Sequence, residues 1–215
     1  MERTKPGWAL IIAGGNPVQP ALVARLQEAS WVVAADSGLD QANRLQIRPD
    51  LVIGDMDSVT TEALAEAVAA GIKIERHPTD KDATDLELAI NAASAAGYQR
   101  ATIIGGTGGR MAHTIANAML LIPERDIELD WLTSHARITA LRTNQTGAYP
   151  VSDGPLLSVL AVGGPATCLS TGLRWPLDGA PLVSGSTRGI SNEILGDAAT
   201  IQITSGQALI IHERN

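Results

Sequence analysis

The chain contains no Phe, only two Tyr and a single cysteine, Cys168, among 215 residues. One thiol cannot form an internal disulfide, and it cannot supply a cysteine-rich zinc site or a Cys-x-x-Cys redox motif. Such cysteine usage fits a reducing compartment, so a cytoplasmic location is expected. Positive charge is also scarce: 16 Lys and Arg stand against 23 Asp and Glu, giving a net charge of -7 and a pI near 5.0. That balance excludes a broad electrostatic grip on nucleic acid, which needs clustered cations to displace phosphate counterions. A small cationic partner suits it better. No apolar run is long enough to cross a bilayer, and residues 1–6 are not followed by the apolar run and cleavage site of a signal peptide, so no membrane partner is expected. Without Phe, the core must be built from Ala, Leu, Ile and Val, with Trp8, Trp31, Trp131 and Trp175 as the bulky exceptions.

At 45% hydrophobic content and a mean hydropathy of +0.08, the chain can bury one large core or two small ones. Its first part alternates short apolar runs with amphipathic ones, the pattern of a mostly parallel, Rossmann-like sheet covered by helices. Strands are expected over residues 9–13, 31–35, 51–53, 72–75 and 101–104. Helices are expected over residues 21–29, 39–45, 61–70, 84–96 and 113–121. In the helix over 84–96, Leu86, Ala89, Ile90 and Ala93 share one face. After Pro123 the texture changes to short β-prone runs, at 128–133, 137–141, 156–161, 182–183, 199–204 and 208–212, separated by turn residues. These predict an antiparallel β-sandwich. The fold class is therefore α/β followed by a β-sandwich, with domains at 1–130 and 131–215.

Acidic residues carry the strongest chemical signal. Asp55 and Asp57 lie in Gly54-Asp55-Met56-Asp57-Ser58, directly after an apolar strand, and so at the carboxyl end of a parallel sheet where ligands bind. If that segment stays extended, the two carboxylates project to one side. Four more acids crowd Asp80-Lys81-Asp82-Ala83-Thr84-Asp85-Leu86-Glu87. Asp82 or Thr84 would cap the following helix, but a cap accounts for one or two acids only. Carboxylates gathered so densely call for a hard divalent cation such as Mg²⁺.

Glycines supply the complementary signal. Gly105-Gly106-Thr107-Gly108-Gly109-Arg110 runs from a strand into a helix, so its N–H groups could cradle phosphate while Arg110 neutralises charge. Gly14-Gly15-Asn16 is a second possible cradle, and Asp36 stands where an acidic ribose ligand sits in dinucleotide folds. His113 is the histidine nearest a motif, whereas His77, His135 and His212 read as structural or solvated. Ser191 and Asn192 could bond a heterocycle, although composition alone favours a hairpin turn there. Trp175 could stack on a cationic ring but reads first as core or interface.

Taken in order, Ala35-Asp36-Ser37-Gly38, the Asp55 and Asp57 motif, the Asp80 to Glu87 run, the Gly105 to Arg110 loop and Arg188-Gly189-Ile190-Ser191-Asn192-Glu193 resemble the thiamine pyrophosphokinase family over nearly the whole chain. The resemblance implies an N-terminal ATP-binding domain, a C-terminal thiamine-binding and dimerisation sandwich, and a homodimer with active sites where subunits meet. It implies Mg²⁺-dependent transfer of pyrophosphate from ATP to the hydroxyl of thiamine, giving AMP and thiamine diphosphate. By motif match, Asp55, Asp57, Asp82 and Asp85 become metal ligands, and Asp57, Asp82, Asp85 and Arg110 the catalytic set. Asp36, Ser37, Asp55, Lys81, Thr84, Gly106, Gly108, Gly109 and Arg110 become nucleotide contacts, and Ser191 and Asn192 thiamine contacts. One position departs: the family loop continues Gly-Gly-Arg-x-Asp-His, and here Gly109-Arg110-Met111-Ala112-His113 has Ala112 for the Asp. That leaves open a related pyrophosphokinase for a pterin or other hydroxymethyl heterocycle, or a non-catalytic thiamine or nucleotide binder.

Overall fold

The structure, a computed structural model, describes residues 7–24, 26 and 28–214. It divides into two compact units, one comprising residues 7–120 and 124–134 of the described chain and the other 121–123 and 135–214.

In the first unit, strands β1 (Ala9–Ala13), β2 (Trp31–Ala35), β3 (Leu51–Gly54), β4 (Lys73–Arg76), β5 (Arg100–Ile104) and β6 (Glu128–Leu132) lie in the order β6-β5-β1-β2-β3-β4. Every neighbouring pair is parallel. The central strands are unbroken apolar runs because both faces are covered: β1 and β3 are buried at every residue. Edge strand β4 instead carries Lys73, Glu75 and Arg76, charges that discourage edge-to-edge pairing. Helices α1 (Pro20–Val23), α2 (Gly38–Arg44), α3 (Thr61–Ala69), α4 (Asp85–Ala95) and α5 (Met111–Met119) connect the strands. Thr60 and Thr84 cap α3 and α4 through hydroxyls that accept from Ala63 N and Glu87 N. The shared face expected on α4 is real: Leu86, Ala89, Ile90 and Ala93 are all buried.

The order of strands has one functional consequence. Three successive connections carry the chain from β1 outward to β4, after which β5 returns to the other side of β1. The strand order therefore reverses between β1 and β5, and in open α/β sheets ligands bind at the carboxyl edge of such a switch point.

The second unit is a sandwich. One sheet has the order β11-β9-β13-β7, built from β7 (Ala136–Arg142), β9 (Leu156–Ala161), β11 (Asn192–Glu193) and β13 (Gln207–Glu213). The other has β8 (Thr146–Pro150), β10 (Thr167–Thr171) and β12 (Ala198–Ser205) in the order β10-β12-β8. All these pairings are antiparallel. Leu157, Val159 and Ile210 from one sheet meet Cys168, Ile201 and Ile203 from the other in a single apolar cluster. His212, 1% exposed, bonds Gly154 O at 2.8 Å and presents its ring edge-on to Tyr149.

Several local expectations change. The helix expected over 21–29 is one turn, Pro20–Val23, and the remainder of that span includes Arg25 and Gln27, which lie outside the described residues, as do residues 1–6. The strand over 128–133 is β6, which pairs parallel with β5 as part of the first unit. Residues 182–183 contribute only an isolated bridge from Leu182 to Ala166. Strands β8 and β10 were not anticipated: their glycine, proline and serine content conceals them, and they pair only through the apolar alternation of β12 between them. Trp175 is 53% exposed rather than core, whereas Trp131 is 1% exposed.

The two faces of the β8, β10 and β12 sheet make a direct test. Ile203 is fully buried, while Leu169 on the adjacent strand is 50% exposed. Ile203→Ala should cost about 2–5 kcal/mol in urea unfolding, and Leu169→Ala within about 0.5 kcal/mol. Equal losses would mean the faces are wrongly assigned.

Candidate active site

Three carboxylates converge at the carboxyl edge of the parallel sheet. Asp36 ends β2, Asp55 and Asp57 follow β3, and one oxygen from each lies within 4.8 Å of the others. Their convergence does not come from an extended segment. Met56 has φ 66° and its side chain is buried, so the chain turns back on itself. Asp55 Oδ1 then accepts from Asp57 N at 3.2 Å. Asp36 likewise has φ 47°, a left-handed conformation that Asp tolerates better than most residues. Its N–H donates to Ile53 O at 2.9 Å, which ties the turn after β2 to β3.

Gly54 is what permits the crowding. Its φ is 147°, and a Cβ there would stand 3.0 Å from the Asp85 carboxyl and 3.1 Å from Asp36 Cβ. Asp85 opens α4 and leans over the same spot. Lys81 completes the group from the preceding loop, with Nζ 2.7 Å from Asp55 Oδ2 and 3.2 Å from Asp85 Oδ1. The second approach lies off the hydrogen-bonding axis, so Asp85 Oδ1 is buried without a hydrogen bond, as is Asp36 Oδ1.

The electrostatics follow from this placement. Burial, reinforced by Asp85, Asp55 and Asp57, pushes the Asp36 carboxyl above the usual range. Burial also raises Asp85, against the nearby positive charge of Lys81. Asp55 is held low, chiefly by its hydrogen bond to Lys81, whose own ammonium is raised by the same bond. The group thus has several carboxylates, one ammonium and buried lone pairs with no donor. An all-oxygen set with surplus negative charge fits a hard divalent cation such as Mg²⁺.

The glycine loops sit on the other side of β1. Gly106 N donates to Gly14 O at 2.7 Å and Asn16 N to Thr107 O at 2.6 Å, so the loops after β1 and β5 are stitched together. A Cβ on Gly15 would collide with Thr107 O, and one on Gly108 with the Asn16 side chain. Three buried side chains hold the loop carbonyls from behind. Gln41 Nε2 donates to Ala13 O at 2.8 Å, Trp131 Nε1 to Gly105 O at 2.7 Å, and Asn117 Nδ2 to Gly106 O at 2.8 Å. Because C=O and N–H point oppositely across a trans peptide, pinning Gly106 O aims Thr107 N–H away from Asn117. Arg110 is exposed, bonds His113 Nε2 at 2.6 Å, and starts α5, whose first turn carries no acid. That helix end therefore favours an anion.

The sequence-derived residues thus divide. Asp55, Asp57, Asp85 and Lys81 come together, and Asp36 joins them as a carboxylate of the same group. Asp82 is exposed and stands outside the three-carboxylate group; Thr84 is exposed too, its hydroxyl engaged as the α4 cap. Ser37 packs its hydroxyl over Gly14, where a Cβ would collide with it. Gly106, Gly108 and Gly109 all have positive φ. In the second unit Ser191 is exposed at φ 54°, with its N–H bonded to Ser158 Oγ at 2.9 Å. Asn192 is 2% exposed and its amide is engaged: Oδ1 accepts from Trp175 N and Glu193 N, and Nδ2 donates to Trp175 O at 2.6 Å. It fixes the backbone that displays the Trp175 ring, over which Arg174 lies at 5.2 Å. Gln41, Asn117 and Trp131 were not singled out as site residues from sequence. Polar groups on otherwise apolar faces were the available signal.

The fold is that of solved thiamine pyrophosphokinase structures. The chain superposes on the Bacillus subtilis enzyme with a TM-score of 0.85 at 24% identity, covering 97% of this chain and 99% of that one. It superposes on the Candida albicans enzyme with a TM-score of 0.78 at 15% identity, covering 97% and 90%. Residues 23–129 match the model described as thiamin pyrophosphokinase, catalytic domain, and residues 140–208 the model described as its vitamin B1 binding domain. With both models matched in sequence order over most of its length, the chain belongs to the thiamin pyrophosphokinase family. Thiamine pyrophosphokinase of Bacillus subtilis (strain 168) is 26% identical over 205 residues, covering 94% of this chain and 96% of that protein. Thiamine pyrophosphokinase 1 of Oryza sativa subsp. japonica is 28% identical over 177 residues, and the match spans 78% of this chain and 66% of the rice protein. No helix among the described residues is long and apolar enough to cross a membrane.

Asp36 links stability to the site. A carboxyl raised on folding contributes unfavourably once ionised, so its effect on stability worsens as pH rises from its unfolded value through its folded one. Asp55, held low, works in the opposite sense and loses its contribution as pH falls through its folded value. Asp36→Asn should therefore raise the Tm of the protein without added metal at pH 7 and reduce the further rise produced by Mg²⁺. A lower Tm without metal, or an unchanged Mg²⁺ shift, would contradict the arrangement.

Proposed function

We propose that the protein is a thiamine diphosphokinase that transfers pyrophosphate from ATP to the hydroxyl of thiamine, releasing AMP. The observation that carries this reading is the pairing, along one sheet edge, of a carboxylate group fit for a divalent cation with two stitched glycine loops fit for phosphate. Family membership supports the identity of the substrates.

Asp36, Asp55, Asp57 and Asp85 would hold Mg²⁺, which when bound to phosphate oxygens offsets their charge and polarises the β-phosphorus for attack. The chain's own residues do the rest. The N–H groups of Thr107 and of the first turn of α5 receive phosphate oxygens, and Arg110 offsets charge there. Lys81 is within the same acidic group and can follow phosphate. Because phosphoryl-type transfer proceeds through a loose transition state, positioning and charge neutralisation supply most of the acceleration, and a base contributes little. A carboxylate of the group takes the hydroxyl proton. In the second unit, the exposed Trp175 ring suits stacking on the cationic thiazolium or its companion ring, with Ser191 at hand for a hydrogen bond. Asn192 serves that pocket by holding Trp175 in place.

A homodimer with active sites formed between copies belongs to the same reading. Its support is the exposed apolar stripe of α5, where Met111 is 71%, Ile115 53% and Met119 46% exposed beside the glycine loop. A cytoplasmic location accords with the lone thiol.

Purified protein given ATP, Mg²⁺ and thiamine should yield AMP and thiamine diphosphate, with EDTA stopping the reaction. ADP and thiamine monophosphate as products would overturn the assignment, and turnover of a hydroxymethylpterin instead would redirect it. Asp57→Asn should lower kcat by about a hundredfold or more, and a near-normal rate would remove the metal role. Ala112 stands in the first turn of α5, where an acid would oppose incoming phosphate. Ala112→Asp should change turnover, and an unaltered rate would show that the position does not limit it.

A further inference from the structure

We propose that Lys81 is a built-in counter-cation that competes with the divalent metal for Asp55 and Asp85, and that metal entry releases its ammonium toward phosphate. This inference rests on the metal reading given above and adds to it an exchange of cations.

Asp55 is the shared residue. One of its oxygens lies within the three-carboxylate group with Asp36 and Asp57, while its Oδ2 holds Lys81 Nζ at 2.7 Å. A divalent ion among those three acids and an ammonium on the same carboxylate would stand close together at the sheet edge. Side chains there are only 14% exposed for Lys81, 10% for Asp55 and 23% for Asp85, so water screens the repulsion poorly. Asp85 is the second shared residue, because it faces both Lys81 and Gly54, against which Asp36 also packs.

Lys81 satisfies the group only in part. Asp36 Oδ1 has no hydrogen-bond partner although the residue is 8% exposed, so the ammonium covers the Asp55 and Asp85 side alone. Nor is Lys81 locked in place. It lies in the irregular stretch between β4 and α4, ahead of the Thr84 cap, and can swing without unmaking a helix or strand. A strongly hydrated point charge on a four-carbon stem is well suited to change partners, and phosphate is a natural acceptor for it. A fixed arginine fork would be much less free to do so. The exchange would make metal binding weak until phosphate arrives to receive the ammonium, coupling the two ligands.

The test labels lysines of the wild-type protein with an amine-acetylating ester and reads each by peptide mass spectrometry, with Mn²⁺ binding followed separately by electron paramagnetic resonance. Lys73, whose side chain is 71% exposed, is the internal control. Lys81 should be protected in the protein alone, label about tenfold faster with saturating Mn²⁺, and be protected again with Mn²⁺ and a non-hydrolysable ATP analogue. Mn²⁺ binding with Lys81 labelling unchanged would overturn the exchange while leaving the metal reading intact. Absence of Mn²⁺ binding both without and with the ATP analogue would overturn both. Lys81→Met should also bind Mn²⁺ about tenfold or more tightly without nucleotide, and equal or weaker binding would count against the proposal. Since through-space repulsion alone could produce tighter binding, the labelling decides between them.

Discussion

Mutual repulsion among crowded carboxylates is the constraint around which the first unit is organised. Asp36, Asp55 and Asp57 approach one another at the ends of neighbouring parallel strands, and Asp85 closes over them from the start of α4. Nothing in the packing of the sheet requires this. The site accepts left-handed φ at Asp36 and Met56 and a glycine-favouring conformation at Gly54. Strain and like charge concentrated in one place mark function more reliably than either alone. The hydrophobic interior supplies what the site withholds, through fully buried strands such as β1 and β3.

The other end of the sheet edge obeys a different rule. There the requirement is close approach of backbone to backbone, and it is met by glycines whose missing side chains admit Thr107 O against Gly15 and the Asn16 side chain against Gly108. Flexible loops would lose much of their value as an anion cradle if their peptide planes could turn freely. Gln41, Trp131 and Asn117 prevent that by consuming carbonyls from the buried side. Each spends a buried hydrogen-bonding group that would cost free energy if left unpaired, so the loop geometry and the core stabilise each other.

The architecture was readable because its signals are local: apolar runs of strand length, helical spacing in α4, and acids and glycines placed where strands end. Strand pairing was less readable. The run that became β6 has the composition of an edge or sandwich strand, and only its parallel register with β5 reveals its place. Strands β8 and β10 look like turns by composition and owe their conformation to β12, an example of tertiary context overriding propensity. In the site, spacing suggested that Asp55 and Asp57 would share a side of an extended strand. They meet instead through the Met56 turn, which a period-of-two argument cannot anticipate. Asp36 was recognised as a ligand residue but assigned toward ribose, because its nearness to the β3 acids depends on strand order rather than sequence distance. Asn192, suited by type to bond a heterocycle, has its amide engaged with the Trp175 backbone, a partnership that sequence separation conceals.

Charge separation along the sheet edge joins these elements. The carboxylates occupy the ends of β2 and β3, whereas Arg110 and the acid-free first turn of α5 follow β5. Strand order puts β1, with its own glycine loop, between them. A polyphosphate laid along that edge would meet backbone N–H groups and an arginine at one end and, at the other, acids that it can approach only with a cation interposed. On the proposed reading, the negative end would select for a metal-bound polyphosphate over the free anion, and the positive end would hold the part that carries no metal. Ala112 accords with this polarity, since it adds no negative charge to the first turn of α5, the helix end that would receive phosphate.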